Sequence, residues 1–419
     1  MTHIPPLRGD VLKRLEALKH HPAVDAALRD LEAHAPQAME LQKALCEIPA
    51  PTFHEEVRAA EIVRLMKSFG LEDVSIDAVG NVIGRFPGRG TGPRPLLAVG
   101  AHMDTVFPEG TDVTVRREGN RYYGPGIGDN CAGLRAMLET LRAMTAHGLA
   151  TEADILFVGT VGEEGNGDIR GAKALFDGSR KIDGFMALDM ANVNTLQNGA
   201  TGAHRWRLSI EGEGGHSYLD YGHVPSAIHA MCRAGALIAD LELPETPKTT
   251  YTIGTIKGGT TVNTIAAKCS VDVDLRSVDV AELAKLEETV LAAFEKAVEL
   301  ENAHWPKADA AHQLKLVKTQ IGNRPAGLRP DNCPAVQAAL AAMATMGIEV
   351  KQCRPSSTDA NMPMSINIPA VCIGTGGVTN LEHSLKEFFD STDMEKGPQL
   401  ATLIALALVG IRDEVKAAL

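Results

Sequence analysis

Two histidines and a group of carboxylates stand where short apolar runs end, and together they outline a metal site. His102 and Asp104 flank Met103 just after Leu96-Leu97-Ala98-Val99-Gly100. In an extended segment residues i and i+2 face the same way, so Asp104 can orient the His102 ring or hold its other nitrogen. Glu163-Glu164 follows Ile155-Leu156-Phe157-Val158-Gly159-Thr160-Val161. Adjacent carboxylates at the end of a buried strand repel, and one pKa should rise unless a cation neutralises them. A natural division has one binding metal while its neighbour accepts a proton from water. Asp189 follows Phe185-Met186-Ala187-Leu188, and Ala370-Val371-Cys372-Ile373-Gly374 leads toward His383. Imidazoles and oxygens without a thiolate suit Zn²⁺, Mn²⁺ or Co²⁺ in a catalytic role rather than a structural zinc. So many anionic ligands exceed what one catalytic ion needs, and two ions bridged by a carboxylate would use them all.

Taken singly, each pattern has a plainer reading. His-x-Asp alone is a satisfied loop histidine, and a Glu pair alone is an acidic helix start. The loop Gly124-Pro125-Gly126-Ile127-Gly128 turns the chain to present Asp129, or it cradles a phosphate. Its spacing matches neither nucleotide fingerprint, G-x-G-x-x-G or G-x-x-x-x-G-K-[ST], and Gly254 to Thr261 also lacks the Gly-Lys-Ser/Thr ending. Cys131 reads as a small packing residue at a helix start. Convergence of the runs is what carries the argument.

The elements that must position these residues follow from the same runs. Short apolar segments bounded by Gly read as strands buried on both faces, as in a parallel sheet, and such sheets hold ligands at the carboxyl ends of their strands. Val11 to Met66 shows helical periodicity broken by Pro22, Pro36 and the Pro49-Ala50-Pro51 turn. Asn81 to Phe86 reads as a strand before a Gly/Pro-rich loop (Pro87 to Pro95). Ala132 to Ala146 reads as a helix, and Ile169 to Phe176 as a short one. The character changes near Gly202. Arg205 to Glu211, Thr250 to Ile256, Cys269 to Arg276 and Leu314 to Gln320 alternate like strands with one solvated face, interleaved with helices at Pro225 to Leu241 and Val280 to Leu300. The α/β pattern resumes after Pro325 with a helix from Pro334 to Met346 and ends in a helix from Leu400. The expected fold is α/β: a mostly parallel catalytic sheet with helices on both faces (1–202 and 323–419) and an inserted α+β unit with an antiparallel sheet (203–322).

Length and composition agree. At 419 residues, two domains are expected. The net charge of −12 argues against nucleic acid or an anionic membrane as partner, and 4% aromatics argue against a base-stacking surface. No apolar stretch is long enough to span a bilayer, and Met1 to Pro6 has no basic or apolar signal region. The seven cysteines form no C-x-x-C pair, which reads as free, mostly buried thiols in a reducing compartment, so a cytoplasmic location is expected.

The chain resembles the co-catalytic metallopeptidases and deacylases that carry a peptidase-dimerisation domain, such as glutamate carboxypeptidase, acetylornithine deacetylase, succinyl-diaminopimelate desuccinylase, aminoacylase and tripeptidase. The likeness spans about residues 40 to 415. It rests on Ala101-His102-Met103-Asp104-Thr105-Val106, Gly128-Asp129-Asn130, Gly162-Glu163-Glu164-Gly165, Gly214-Gly215-His216-Ser217, Gly258-Gly259-Thr260-Thr261-Val262-Asn263 and Asp274-Leu275-Arg276. The resemblance implies that Asp129 bridges two divalent ions, Zn²⁺ first with Mn²⁺ or Co²⁺ as alternatives. His102 and Asp189 would complete one position, Glu164 and His383 the other. Glu163 would be the general base, with Asp104 supporting His102. His216 would stabilise the oxyanion, reaching a partner subunit's site in dimeric relatives, and Asn263 and Arg276 would hold the substrate. The inserted unit would join two copies in a homodimer. Two departures bear on substrate class: Asn130-Cys131-Ala132 replaces the acidic and basic residues often found after the bridging Asp, and Ala266 stands where many relatives have Pro.

The leading expectation is a dinuclear hydrolase of C–N bonds in a small carboxylate-bearing substrate, a short peptide or an N-acyl amino acid. One alternative is an aminohydrolase releasing ammonia from an amino acid or aromatic amine. Another is a non-catalytic binding protein that keeps the fold, against which the retained Glu163 argues.

Overall fold

In the computed structural model, residues 3–91, 94–305, 307–308, 312–412 and 414–419 are described, so Gly92 and Pro93 of the Gly/Pro-rich loop lie outside the described residues. The chain forms two compact units, 1–200 with 328–419, and 201–327.

The first unit is built on a nine-stranded sheet. Its centre is four parallel strands: Asp154–Thr160, Leu96–His102, Gly184–Leu188 and Ala370–Ile373. These are the four apolar runs. Each feeds two cores at once: Leu97, Val99, Ile155 and Phe157 pack into one, Ala98, Leu156 and Val158 into the other. A strand with both faces covered must be apolar at every position, which is why no alternation is visible in its sequence. Val82–Phe86 joins this centre antiparallel, and Glu72–Ile76 pairs outside it.

One face carries the long buried helices Cys131–Ala146, Pro334–Thr345 and Lys396–Val409, with the amino-terminal helices Gly9–His20, Pro22–Ala33 and Ala35–Cys46 packed over them. The helical stretch is interrupted at Pro22 and Pro36 as expected, and each proline stands in the first turn of the next helix, where a missing N–H costs nothing. For the same reason the last helix begins at Lys396, ahead of the expected Leu400, with Pro398 in its first turn. Short helices Arg170–Leu175 and Asn361–Ser365 lie with the second core.

A small antiparallel sheet of Val378–Asn380, Phe388–Asp390, Arg121–Tyr123 and Arg116–Glu118 was not expected from the sequence. Three-residue strands are too short to show a period.

The second unit is a four-stranded antiparallel sheet in the order Thr249–Gly258, Lys268–Ser277, Gly202–Glu211, Lys315–Arg324. Burial in Lys268–Ser277 alternates residue by residue, and its inward Val271, Val273 and Leu275 pack with Leu283 and Phe294 from the helix Val280–His304. Asp279 caps that helix, accepting from the N–H groups of Ala281 and Glu282 at 2.9 Å each. The other helix is Ala227–Ala239. All seven cysteines are free thiols, and only Cys232 is exposed. Among the described residues no helix is long and apolar enough to cross a membrane.

Candidate metal centre

The carboxyl ends of the three adjacent parallel strands deliver His102, the Glu163-Glu164 turn and Asp189 to one place. His102 pairs in register with Thr160, three residues before Glu163, and Gly100 pairs with Ala187, two before Asp189. The His102 ring is fully enclosed, with its side chain 1% exposed.

Asp129 sits at the centre. Its Oδ1 lies 3.0 Å from His102 Nε2 and its Oδ2 lies 3.0 Å from His383 Nε2. Asp189 Oδ1 is 3.7 Å from His102 Nε2, and Glu164 Oε1 is 3.0 Å from His383 Nε2. The ligand atoms of His102, Asp129 and Asp189 all lie within 4.8 Å of one another, as do those of Asp129, Glu164 and His383, and those of His102, Glu163 and Glu164. Asp129 alone belongs to both outer sets and offers a separate oxygen to each. This donor set of nitrogen and oxygen atoms fits two divalent cations sharing one carboxylate.

The loop that presents Asp129 is fixed from three sides. Buried Glu387 accepts the N–H groups of Gly126 and Gly128 at 2.8 Å and of Asp129 at 3.0 Å. Asn130 accepts from Gly133 N–H at 3.0 Å, capping the following helix, and donates to Leu188 O at 2.9 Å, tying the loop to the Asp189 strand. Gly133 is required here, since a Cβ would lie 2.2 Å from both Asn130 Oδ1 and Leu188 O. Gly126 turns at φ +80, a conformation that strains any residue with a side chain.

Asp104 reaches both halves of the site. His102 Nδ1 is 3.1 Å from the backbone carbonyl of Asp104 and 3.5 Å from its carboxylate. The carboxylate also accepts the N–H groups of Glu163 at 2.9 Å and Glu164 at 3.0 Å, and the Thr52 hydroxyl at 2.9 Å. Glu55 adds to this turn. It accepts Gly162 N–H at 3.0 Å, and Arg170 Nη2 donates to both its oxygens at 2.8 and 2.7 Å.

The electrostatics follow from this crowding. Burial alone would discharge His102, yet its bonds to Asp104, Asp129 and Asp189 hold its pKa well above the usual value. Asp129 and Glu164 push His383 up to about 11. Asp129 itself is held far below the carboxylate range, the two imidazoles outweighing its burial. Burial raises Glu164, against the pull of His383. Glu387 is driven to about 8 by burial, in spite of the three amides it accepts. The carboxylates that hold these protons would equally favour a metal cation in their place.

The second unit brings together the residues expected there. Gly215–His216 pairs antiparallel with Thr264–Ile265, and Ser217 N–H donates to Asn263 O at 3.1 Å, so His216 and Asn263 are neighbours. His216 Nδ1 accepts from the N–H groups of Tyr218 and Leu219 at 3.2 and 3.3 Å, and His216 N–H donates to Asp220 at 2.6 Å. With Nδ1 an acceptor, the neutral ring carries its proton on Nε2. Arg276 is not grouped with them through its guanidinium, which forks onto Asp274 of its own strand at 3.2 and 2.9 Å.

Sequence reasoning missed Thr52, Glu55, Asp359 and Glu387, none of which sits at the end of an apolar run. Asn130 was noticed only as a departure. Its place before a helix start was the available signal for a cap.

Residues 98–407 match Peptidase family M20/M25/M40. Over 203 residues the chain is 27% identical to carboxypeptidase G2 of Pseudomonas sp. (strain RS-16), covering 47% of each. The chain spans less than half the length of the curated relatives it matches. In structure it is similar to aminopeptidase PepT from Bacillus cereus ATCC 10987, with a TM-score of 0.72 and 22% identity over 88% of this chain and 97% of that one. It is also similar to the YXEP protein of Bacillus subtilis, described as a dinuclear metal binding peptidase from the M20 family, with a TM-score of 0.66 and 16% identity over 90% and 99%. At these identities the two structures speak for the fold.

Proposed function

Since the chain belongs to peptidase family M20/M25/M40, whose members are metal-dependent hydrolases, we propose that it cleaves the C–N bond of a short peptide or an N-acyl amino acid bearing a free carboxylate. The observation that carries this reading is Asp129, with one oxygen toward His102 and the other toward His383, beside a second acid, Glu163, left over from the ligand set. His102, Asp129 and Asp189 would hold one ion and Asp129, Glu164 and His383 the other, with Zn²⁺ favoured by the mixed imidazole and carboxylate donors. When bound, the pair of cations supplies Lewis acidity to the scissile carbonyl and acidifies a water.

The chain's own residues do the rest. Glu163 takes the proton of the attacking water and returns it to the leaving amine. Asp104 holds Glu163 for this by its backbone N–H. His216, with its proton on Nε2, donates to the oxyanion as charge develops. Asn263 stands beside it to position the substrate. Arg276 would have to exchange Asp274 for the substrate carboxylate, a like-for-like swap of one bidentate partner for another.

The same reading makes the protein a homodimer through 201–327. Tyr218, Leu219 and Val262, next to His216 and Asn263, are 84%, 73% and 103% exposed, which supports a surface for another copy to cover. Sedimentation at micromolar concentration should give twice the chain mass.

The test is a panel of dipeptides, N-acyl amino acids and carboxylated arylamines given to metal-loaded protein, read by amine and by ammonia release. Amine release with a carboxylic acid product supports the proposal, and Glu163→Gln should lower it by roughly two orders of magnitude or more with both ions retained. Ammonia as the sole nitrogen product would replace peptidase or deacylase action with an aminohydrolase. Undiminished turnover in a metal-replete Glu163→Gln protein would remove Glu163 as the base.

A further inference from the structure

Asp359 is a buried carboxylate that the site described so far does not use. It follows the strand Gln352–Ser356 and is 4% exposed. The turn that holds it is tightly bonded: Thr358 N–H donates to Asn361 Oδ1 at 2.9 Å and Ala360 N–H to Thr358 Oγ1 at 3.2 Å. Asp359 Oδ2 accepts the Thr160 hydroxyl at 2.5 Å, while Oδ1 is buried with no hydrogen-bond donor among the described residues.

Thr160 is not an arbitrary partner. It is the last residue of its strand, in register with His102, and its carbonyl accepts Met103 N–H at 2.8 Å. Asp359 thus grips the point where the His102 strand and the segment leading to Glu163 meet. Besides Thr160, the groups whose charges act on it most are His102, Asp189 and Asp104. Arg and Lys are absent from that set.

A carboxylate buried with one oxygen unbonded and no Arg or Lys to pair it is costly. Burial raises its pKa to about 6, so it still ionises near neutrality. Asp104, Asp129 and Asp189 already lie within 3.7 Å of the His102 ring nitrogens. One imidazole does not offset four carboxylates, and a cation seated with His102, Asp129 and Asp189 would.

We propose that Asp359 is a positioning residue for the ion held by His102, Asp129 and Asp189, acting from behind the ligands as a fixed counter-charge and through Thr160 as an anchor for the strand end. It touches neither substrate nor reacting atoms. This rests on the dinuclear reading of the centre, so the parent protein must first be shown to bind two equivalents of Zn²⁺. A failure there sinks the dinuclear reading, and a failure confined to the variants sinks the role of Asp359.

The experiment compares Asp359→Asn with Thr160→Val after stripping with EDTA, at pH 8. Zn²⁺ affinity is read by calorimetric titration, unfolding by circular dichroism, and the ligand field by the visible spectrum of Co²⁺. Asp359→Asn keeps the bond to Thr160 but removes the charge. Affinity for one of the two ions should fall by about tenfold or more, in line with other outer partners of metal ligands. The loss should persist in a His383→Ala background, where only the His102 position is whole. The metal-free Asp359→Asn protein should melt no lower than the parent, because an unpaired buried charge has been removed. Thr160→Val should do the reverse, lowering the metal-free melting temperature and leaving affinity within about threefold, well short of the outer-partner effect. Parent-like Zn²⁺ affinity and Co²⁺ spectrum in Asp359→Asn would overturn the proposal. So would a metal-free Asp359→Asn protein that is destabilised like Thr160→Val or does not fold, since either result makes Asp359 a structural hydrogen-bonding residue.

Discussion

The two clusters of candidate metal ligands share Asp129 but are built differently. His102 ends a central strand, has a side chain 1% exposed, and stands among three carboxylates within 3.7 Å. His383 lies on a loop between two three-residue strands, has a side chain 54% exposed, and adopts a left-handed backbone at φ +61. One half is a product of the sheet and the other is added from a loop. In the proposed dinuclear centre the sheet would place one ion's ligands and a loop the other's, with Asp129 common to both.

The most damaging change should be the one that breaks what the halves share. Asp129→Ala should bind neither ion firmly and lose activity by roughly three orders of magnitude or more, the range lost when a site's central group is removed. Elemental analysis that still finds two equivalents would dissolve the comparison, because neither half would then depend on the bridge.

Separating the halves comes next. In metal-free protein, His102→Ala takes the buried imidazole away from Asp104, Asp129 and Asp189, and breaking such a buried arrangement costs on the order of 3–5 kcal/mol. His383→Ala acts on a half-exposed pair and should cost about 1 kcal/mol or less. His383→Ala should also keep one equivalent of Zn²⁺, held by His102, Asp129 and Asp189. Equal destabilisation of the two variants in urea titrations would show that the loop half is as rigid as the sheet half.

This division also marks what could be read from the chain. His102, Glu163, Glu164 and Asp189 are legible because a strand buried on both faces is written as an apolar run, and its end is the first polar residue. His383 is less plainly heralded. The run Ala370 to Gly374 only leads toward it, Leu381 and His383 both take positive φ in a turn that no apolar period announces, and its role came from the resemblance to a known family. Glu387 and Asp359 are more hidden still. Each is an acid whose partner lies about two hundred residues or more away, Gly126 for one and Thr160 for the other, and long-range satisfaction of buried polar groups leaves no local mark. The inserted unit was legible strand by strand because its sheet buries one face, so apolar and polar residues alternate. Arg276 pairs with Asp274, two residues back on its own strand, where the resemblance gave it the substrate.

Proton competition offers a milder way to tell the halves apart. The folded, metal-free protein raises His383 from 6.5 to about 11. The stabilisation from its protonated ring is therefore complete below pH 6.5 and is lost as pH rises through about 11. Between those values an incoming ion must displace that proton. Zn²⁺ affinity at the loop position should rise by about tenfold per pH unit for one displaced proton, measured from pH 6.5 to 8.5 in buffers of differing ionisation enthalpy. His383→Ala should flatten the part of this slope that belongs to the loop half. A wild-type affinity independent of pH would mean that His383 is already neutral before metal arrives.

The smallest effect tests whether the halves are coupled at all outside Asp129. Asp104 is the other link, with His102 Nδ1 at 3.5 Å on one side and the N–H groups of Glu163 and Glu164 on the other. Thr52 adds a third donor at 2.9 Å. Thr52→Val removes that hydroxyl and leaves both amides, so the carboxylate stays satisfied and the loss should be about 1 kcal/mol, the net value of one ordinary hydrogen bond. The Glu163-Glu164 turn would keep its anchor, so turnover should change by only a few-fold and metal content not at all. Asp104→Ala is the control, because it frees both amides as well as the His102 side and should be far worse on every measure. If Thr52→Val matches that control in melting temperature and turnover, the hydroxyl rather than the amides orients Asp104. The coupling would then run through the amino-terminal segment and not through the strand ends.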